Sequence, residues 1–216
     1  YRKKTFGLER YDYCINRLDL NPSKINVLDV GSGFGYFLSV LEDKGVKNKG
    51  LEVDPLSIKY CKDLGLNVSS SGIEEELDFT YDLILMFDVI EHLYQPLEFF
   101  TEASKKLNNN GYLIAYTPNI HSVSFELMGS QQNLLHPFQH VCFYNNKSLE
   151  FLAKKTGLEI ISVDYFGLDI IDYLLMKEYD DQYSYFEKLR EFSALIQSCL
   201  DQLKISNHLR VTFKKK

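Results

Sequence analysis

The chain has 216 residues, 45% hydrophobic and 25% charged, enough for one sizeable core and unlike a disordered polypeptide. Its formal net charge of −6 offers no electrostatic footprint for a nucleic-acid backbone, so no nucleic-acid partner is expected. No apolar run reaches transmembrane length, no signal peptide is visible, and Cys14, Cys61, Cys142 and Cys199 form no Cys-x-x-Cys pair; a cytoplasmic protein with reduced thiols is expected.

Leu8, Tyr11, Ile15 and Leu18 recur at helical spacing before Asn21–Pro22, which predicts a covering helix. Next, Val27–Leu28–Asp29–Val30 runs into Gly31–Ser32–Gly33–Phe34–Gly35, and a helical pattern follows from Tyr36 to a stop at Gly45. That is a strand, a tight turn and a helix start, the arrangement that brings backbone close to a nucleotide-type ligand. The spacing Gly-x-Gly-x-Gly is not the Gly-x-Gly-x-x-Gly of dinucleotide sites, which speaks against a nicotinamide cofactor.

A second short strand, Lys49–Leu51, ends in Glu52 and Asp54, and a helix follows to Gly65. An acid about twenty residues past the glycines is placed to accept ribose hydroxyls; Glu52 is the first choice and Asp54 the second. Asn67–Ser69 reads as a weak strand, and Tyr81–Phe87 as the strongest one, apolar enough for the centre of a parallel sheet. Helix 96–107, strand Tyr112–Tyr116, helix Ser148–Lys155 and strand Leu158–Val163 continue the alternation of an α/β fold. Between them, 120–145 is irregular yet rich in aromatic residues and holds His121, His136 and His140, which marks an ordered functional loop and a wall of the acceptor pocket. Asp169–Leu203 is helical in pattern and reads as a cap over the substrate mouth, as a homodimer face or as a plain amphipathic helix; His208–Phe213 closes the chain as an antiparallel edge strand.

The run Asp88–Val89–Ile90–Glu91–His92 begins where the strongest strand ends, the edge at which open α/β sheets bind ligands. If Asp88 opens a helical turn, Glu91 and His92 share its face and can hold a divalent metal or move a proton.

With these features in this order, the chain resembles the class I S-adenosylmethionine-dependent methyltransferases along nearly its whole length. Val27–Leu38, Gly50–Asp54, Phe87–Leu93 and Asn110–Asn119 are similar to successive motifs of that family. Asp-Val-Ile-Glu-His, the later Thr117–Pro118–Asn119 and the segment His136–Tyr144 resemble its small-molecule group, which includes the ubiquinone-pathway O-methyltransferases. The resemblance implies a single domain over 1–216: a Rossmann-like, mostly parallel seven-stranded sheet with an antiparallel last strand. Helices would cover both faces, with a helical insert at 169–203.

It also implies roles. Gly31, Gly33 and Gly35 would pack against the methionine moiety of S-adenosyl-L-methionine, Asp29 would sit near its ammonium, and Glu52 would accept both ribose hydroxyls. Ile73 would flank the adenine, and Asp88 would belong to the cofactor site. Where many relatives place an Asp beside the adenine, this chain has Ser70, Ser71 and Gly72. In the quinone-pathway enzymes and the small-RNA-end 2′-O-methyltransferases, a Glu-x-x-Glu-His run helps bind a divalent cation. Its counterparts here are Asp88, Glu91, His92 and His140 as ligands for Mg or Mn, with Asp shortening the reach at the first position. The other reading has His140 as a metal-free base, with His92 and Glu91 beside it in the catalytic group.

The implied function is O-methylation of a small-molecule acceptor by in-line methyl transfer. The alternatives are C- or N-methylation of a sugar or other metabolite, RNA 2′-O-methylation, and a non-catalytic module that binds S-adenosylmethionine.

Overall fold

The computed structural model describes residues 3–216, with the side chains of Lys3, Lys4 and Phe186 outside the described part. Seven strands form one sheet: β1 Asn26–Val30, β2 Lys47–Leu51, β3 Val68–Ser69, β4 Tyr81–Phe87, β5 Leu107–Pro118, β6 Leu158–Phe166 and β7 His208–Lys215. Their order is β3-β2-β1-β4-β5-β7-β6. All pairs are parallel up to β5, whereas β7 runs antiparallel to both its neighbours.

Strand β4 explains why this sheet is central. Leu83, Ile84, Leu85 and Met86 are all fully buried, so both faces of the strand are covered. On one face Leu28, Ile84, Met86 and Leu113 meet Phe100 and Ala103 of α4 (Pro96–Lys106) and Leu149 and Leu152 of α6 (Asn146–Lys155). On the other, Val27, Leu83, Leu85 and Ile114 meet Phe37, Val40 and Leu41 of α2 (Tyr36–Asp43) and Tyr11, Cys14 and Ile15. The last three lie on the expected covering helix, which begins earlier than its apolar spacing suggests. It comprises a π-helical turn Lys3–Gly7, α1 Leu8–Tyr11 and a second π-helical turn Asp12–Asn16. Each fully buried large side chain in these clusters adds roughly 1.5–3 kcal/mol of transfer free energy.

Two expectations need correction. First, β7 is antiparallel as expected but is not an edge. Val211 and Phe213 are fully buried because β7 sits between β5 and β6, and the edge falls to β6, where Ile161 is 45% exposed. Second, the helical pattern of 169–203 is two helices, α7 Asp169–Asp181 and α8 Tyr185–Leu203, broken where Gln182 turns left-handed at φ 54°. Helix α7 packs on α5 (Val123–Met128), and α8 packs on α7 and β6. Phe192 and Leu195 on the outer side of α8 are exposed. No helix among the described residues is long and apolar enough to cross a membrane.

One consequence of the topology matters most. The carboxyl ends of β1, β2, β4, β5 and β6 share an edge with the start of β7, where His208 faces Pro118 and Phe166.

Candidate active site

The turn after β1 is tied to the end of β2, since the Gly31 and Ser32 amides both donate to the Leu51 carbonyl, at 2.8 and 3.1 Å. Glu52 then closes it: one carboxylate oxygen accepts from the Gly33 amide at 2.6 Å, the other from the Val53 and Asp54 amides at 2.7 and 2.9 Å. Asp54 has a different task. It caps α3 (Pro55–Asp63) by accepting from the Ser57 amide at 2.8 Å, and its bonds to Ser57 hold its carboxyl below the usual range. Of the two candidate acids, Glu52 faces the cleft.

The glycines turn out to serve different neighbours. Gly31 has φ +70°, and a Cβ there would stand 2.5 Å from Val89 Cγ2, at the wall of the cleft. Gly35 has φ +67°, but its Cβ would strike Leu66 and the Cys61 sulfur at 2.6 and 2.8 Å. Its lack of a Cβ therefore serves the close approach of α3 and the segment after it.

Beside the turn lies a cavity of about 490 Å³ lined by Gly31, Glu52, Ile73, Asp88, His92 and Phe99, among others. Ile73 is buried and forms its apolar floor with Val89 and Leu93, while Ser71 and Gly72 stand at the rim. Asp29 does not line it. Asp29 is buried within β1, only 2% exposed; burial raises its carboxyl to about 7, with Arg10 pulling down and Glu52 pushing up.

The unfolded value of an Asp is ~3.9, so between ~4 and 7 the folded chain holds a proton that the unfolded chain has lost. The stabilisation from Asp29 is complete below that window and is lost as pH rises through 7. His208 acts oppositely, because burial lowers its pKa, so only a difference isolates Asp29. Relative to the parent chain, Asp29→Asn is expected to gain stability as pH rises from ~4 to 7 and to level off above that in urea melts. A difference that stays flat over that range would show that Asp29 is not the titrating group.

At the end of β4, Asp88 adopts φ 55°, a left-handed conformation that Asp tolerates better than most residues. A 3₁₀ turn, Ile90–His92, follows. The expected common face therefore does not form. Glu91, His92 and His140 come together, each with a ligand atom within 4.8 Å of the others, and Asp88 stays outside this group. Asp88 instead lines the large cavity.

The cluster is arranged for proton or cation chemistry. His92 Nδ1 is 2.6 Å from the Gln139 carbonyl and His140 Nδ1 is 2.7 Å from the Leu134 carbonyl. Donation from both Nδ1 atoms leaves both Nε2 lone pairs available. Glu91 is 1% exposed, its Oε2 has no hydrogen-bond partner, and burial lifts its carboxyl to about 7. The 120–145 loop supplies only His140 to this group. His121 lines a separate small cavity with Asn145 and Lys147, and His136 is exposed at a turn where its carbonyl accepts from the Gln139 and His140 amides.

Residues 1–163 match a family model described as a methyltransferase domain. That match covers three quarters of the sequence. The chain belongs to the methyltransferase domain family. Its relatives include a protein of Mycolicibacterium smegmatis named "Probable S-adenosylmethionine-dependent methyltransferase", 26% identical over 162 residues, 73% of this chain and 61% of that one. A ubiquinone biosynthesis O-methyltransferase of Rickettsia typhi is 29% identical over 120 residues, 51% of this chain and 49% of the relative. The chain thus spans about half to three fifths of the length of these relatives. Among solved structures, a SAM-dependent methyltransferase from Archaeoglobus fulgidus superposes with TM-score 0.69 at 18% identity, covering 99% of this chain and 94% of that one. This last likeness concerns the fold.

The methyltransferase site fits S-adenosylmethionine on its own residues. The apolar floor of Ile73, Val89 and Leu93 suits a flat base, Glu52 supplies a carboxylate acceptor for hydroxyls at the cavity wall, and Gly31 keeps the wall open where a Cβ would intrude. Next to it, sharing Asp88, lies a second cavity of about 360 Å³ lined by Phe6, Glu9, Arg10, Tyr116, Phe166, His208 and Arg210, among others. Sequence reasoning missed Arg10, Tyr116, His208 and Arg210. The loop 120–145, expected to wall the acceptor pocket, is absent from both linings, and helices α7 and α8 of the insert are absent too.

Proposed function

We propose that the chain transfers a methyl group from S-adenosylmethionine to an oxygen atom of a small molecule, with Glu91, His92 and His140 handling the acceptor's proton. The observation that carries this reading is the gathering of these three side chains within 4.8 Å at the end of β4, with His92 also lining the large cavity. Relatives named as ubiquinone biosynthesis O-methyltransferases support oxygen as the acceptor atom. When bound, S-adenosylmethionine supplies a sulfonium-activated methyl group.

The chain's residues would do the rest. Glu52 fixes the ribose, Gly31 and Gly33 give the backbone close approach, and Asp29 balances the ammonium from beneath. Holding acceptor and donor in one orientation can supply roughly 7–11 kcal/mol. His140 Nε2 takes the hydroxyl proton, while His92 and buried Glu91 set the local charge. The same three groups form a candidate site for Mg or Mn, which would act by lowering the acceptor's pKa. A cytoplasmic location with reduced cysteines, and a homodimer using the outer side of α8, belong to this reading as well.

His140→Ala is expected to lower turnover about 10²–10⁴-fold, the range of a general base, while affinity for S-adenosylhomocysteine stays unchanged. Unchanged turnover would remove His140 from the mechanism. Titration with Mn²⁺ alone separates the two roles. Binding that His140→Ala abolishes supports the cation, and activity that persists in chelator rejects it.

A further inference from the structure

The second cavity contains a cation held in an uncommon way. The Arg210 guanidinium lies 4.1, 4.5 and 4.7 Å from the ring centroids of Tyr13, Tyr116 and Phe166. Its Nε is buried with no hydrogen-bond partner, and its side chain is 13% exposed. Among the described residues, the carboxylate it meets is that of Glu9, at 3.5 Å and 66% exposed, a long contact with a solvated group. Such exposed pairs contribute little. Ring faces rather than a carboxylate therefore hold Arg210, and its terminal nitrogens remain largely uncommitted.

The surroundings show what it is placed to meet. Phe6, Tyr116, Phe166 and Leu168 make most of the wall apolar. His208, whose ring lies 5.5 Å from that of Phe166, has its pKa lowered by burial against the pull of Asp88 and Asp169. Arg10 is committed elsewhere, 4.2 Å over the Phe87 ring and close enough to depress the Asp29 carboxyl. The acids in the cavity, Glu9 and Asp88, are both exposed. A desolvated arginine in a cavity walled by the rings of Phe6, Tyr116 and Phe166, with no buried acid among the described lining residues, is a receptor for an anion attached to a planar apolar body.

We infer that this cavity is the methyl-acceptor site and that Arg210 selects acceptors carrying a carboxylate on a flat, ring-bearing body. Asp88 joins the two cavities, so an acceptor anchored at Arg210 extends toward the methyl donor. The volume of about 360 Å³ falls within the range of small-ligand sites, roughly 300–1,000 Å³. This inference rests on the methyltransferase reading and narrows its substrate class.

Benzoate and its neutral isostere benzamide test it, titrated by ligand-observed NMR with and without saturating S-adenosylhomocysteine. Benzoate is expected to bind at least tenfold more tightly than benzamide. Arg210→Gln should bring the two within twofold of each other. Glu9→Gln, a surface change, should at least double benzoate affinity and leave benzamide alone. Should Arg210→Gln fail to fold, the parent ratio and the Glu9→Gln result decide.

Equal affinities in the parent chain would overturn the inference. So would a preference that survives Arg210→Gln but vanishes in Arg10→Gln. Calorimetry with S-adenosylhomocysteine keeps the two ideas apart. No affinity there sinks the methyltransferase reading, whereas intact affinity without a benzoate preference sinks the anion pocket alone.

Discussion

Glu52→Ala is expected to weaken S-adenosylhomocysteine binding by at least two orders of magnitude, measured by calorimetry. In the proposed role the carboxylate accepts two ribose hydroxyls, and a hydrogen bond to a charged group contributes roughly 1.5–3 kcal/mol. Two of them exceed the ~2.8 kcal/mol that corresponds to a hundredfold change in affinity. The structure adds a second loss. Glu52 also accepts from the amides of Gly33, Val53 and Asp54, so its removal frees three donors that hold the turn in shape. Glu52→Gln keeps one acceptor oxygen and should fall between the parent and Ala. A loss below tenfold in Glu52→Ala would move the ribose contact to another residue.

What could be read in the sequence divides by the range of the forces involved. The turn at Gly31–Gly35 was legible because a strand, a glycine cluster and a helix start are local signals. Glu52 was legible because two adjacent parallel strands end at one edge, so an acid after the second faces the turn after the first. Glu91, His92 and even distant His140 were reached through adjacency to the strongest strand and through family likeness. Asp88 stands apart from the three ligand atoms, since its left-handed φ of 55° is something that periodicity, which assumes a right-handed path, cannot show. Arg10, Tyr116, His208 and Arg210 had no local signal at all. They meet because β7 returns antiparallel between β5 and β6 and brings its first residues back to the carboxyl edge. The two-helix insert was legible as helix but not as a break, for Gln182 is no usual helix terminator.

The other large effect expected is at Asp169, which neither motif nor periodicity singles out. Asp169 is 1% exposed at the start of α7. Its Oδ2 accepts from the Asn207 amide and Gln197 Nε2, both at 2.9 Å, and its Oδ1 from the Ser124 amide at 3.3 Å. Ser124 and Asn207 are fully buried, so no water can replace the carboxylate. Asp169→Ala leaves two buried backbone donors unpaired at roughly 1–3 kcal/mol each and loses a side-chain bond as well. A loss of about 3–5 kcal/mol in urea unfolding is expected, a large part of the 5–15 kcal/mol typical of a domain.

The damage should also travel. Ser124 Oγ accepts from Gln132 Nε2 at 2.8 Å, Gln132 Oε1 accepts from the Leu134 amide at 2.6 Å, and the Leu134 carbonyl faces His140 Nδ1 at 2.7 Å. That is a continuous run of contacts from the base of the insert to the proposed base. Under conditions where Asp169→Ala remains folded, amide exchange at Leu134 should quicken more than at core strand β4. Uniform quickening across the chain would mean that Asp169 acts on global stability alone, and the insert would lose its part in holding His140.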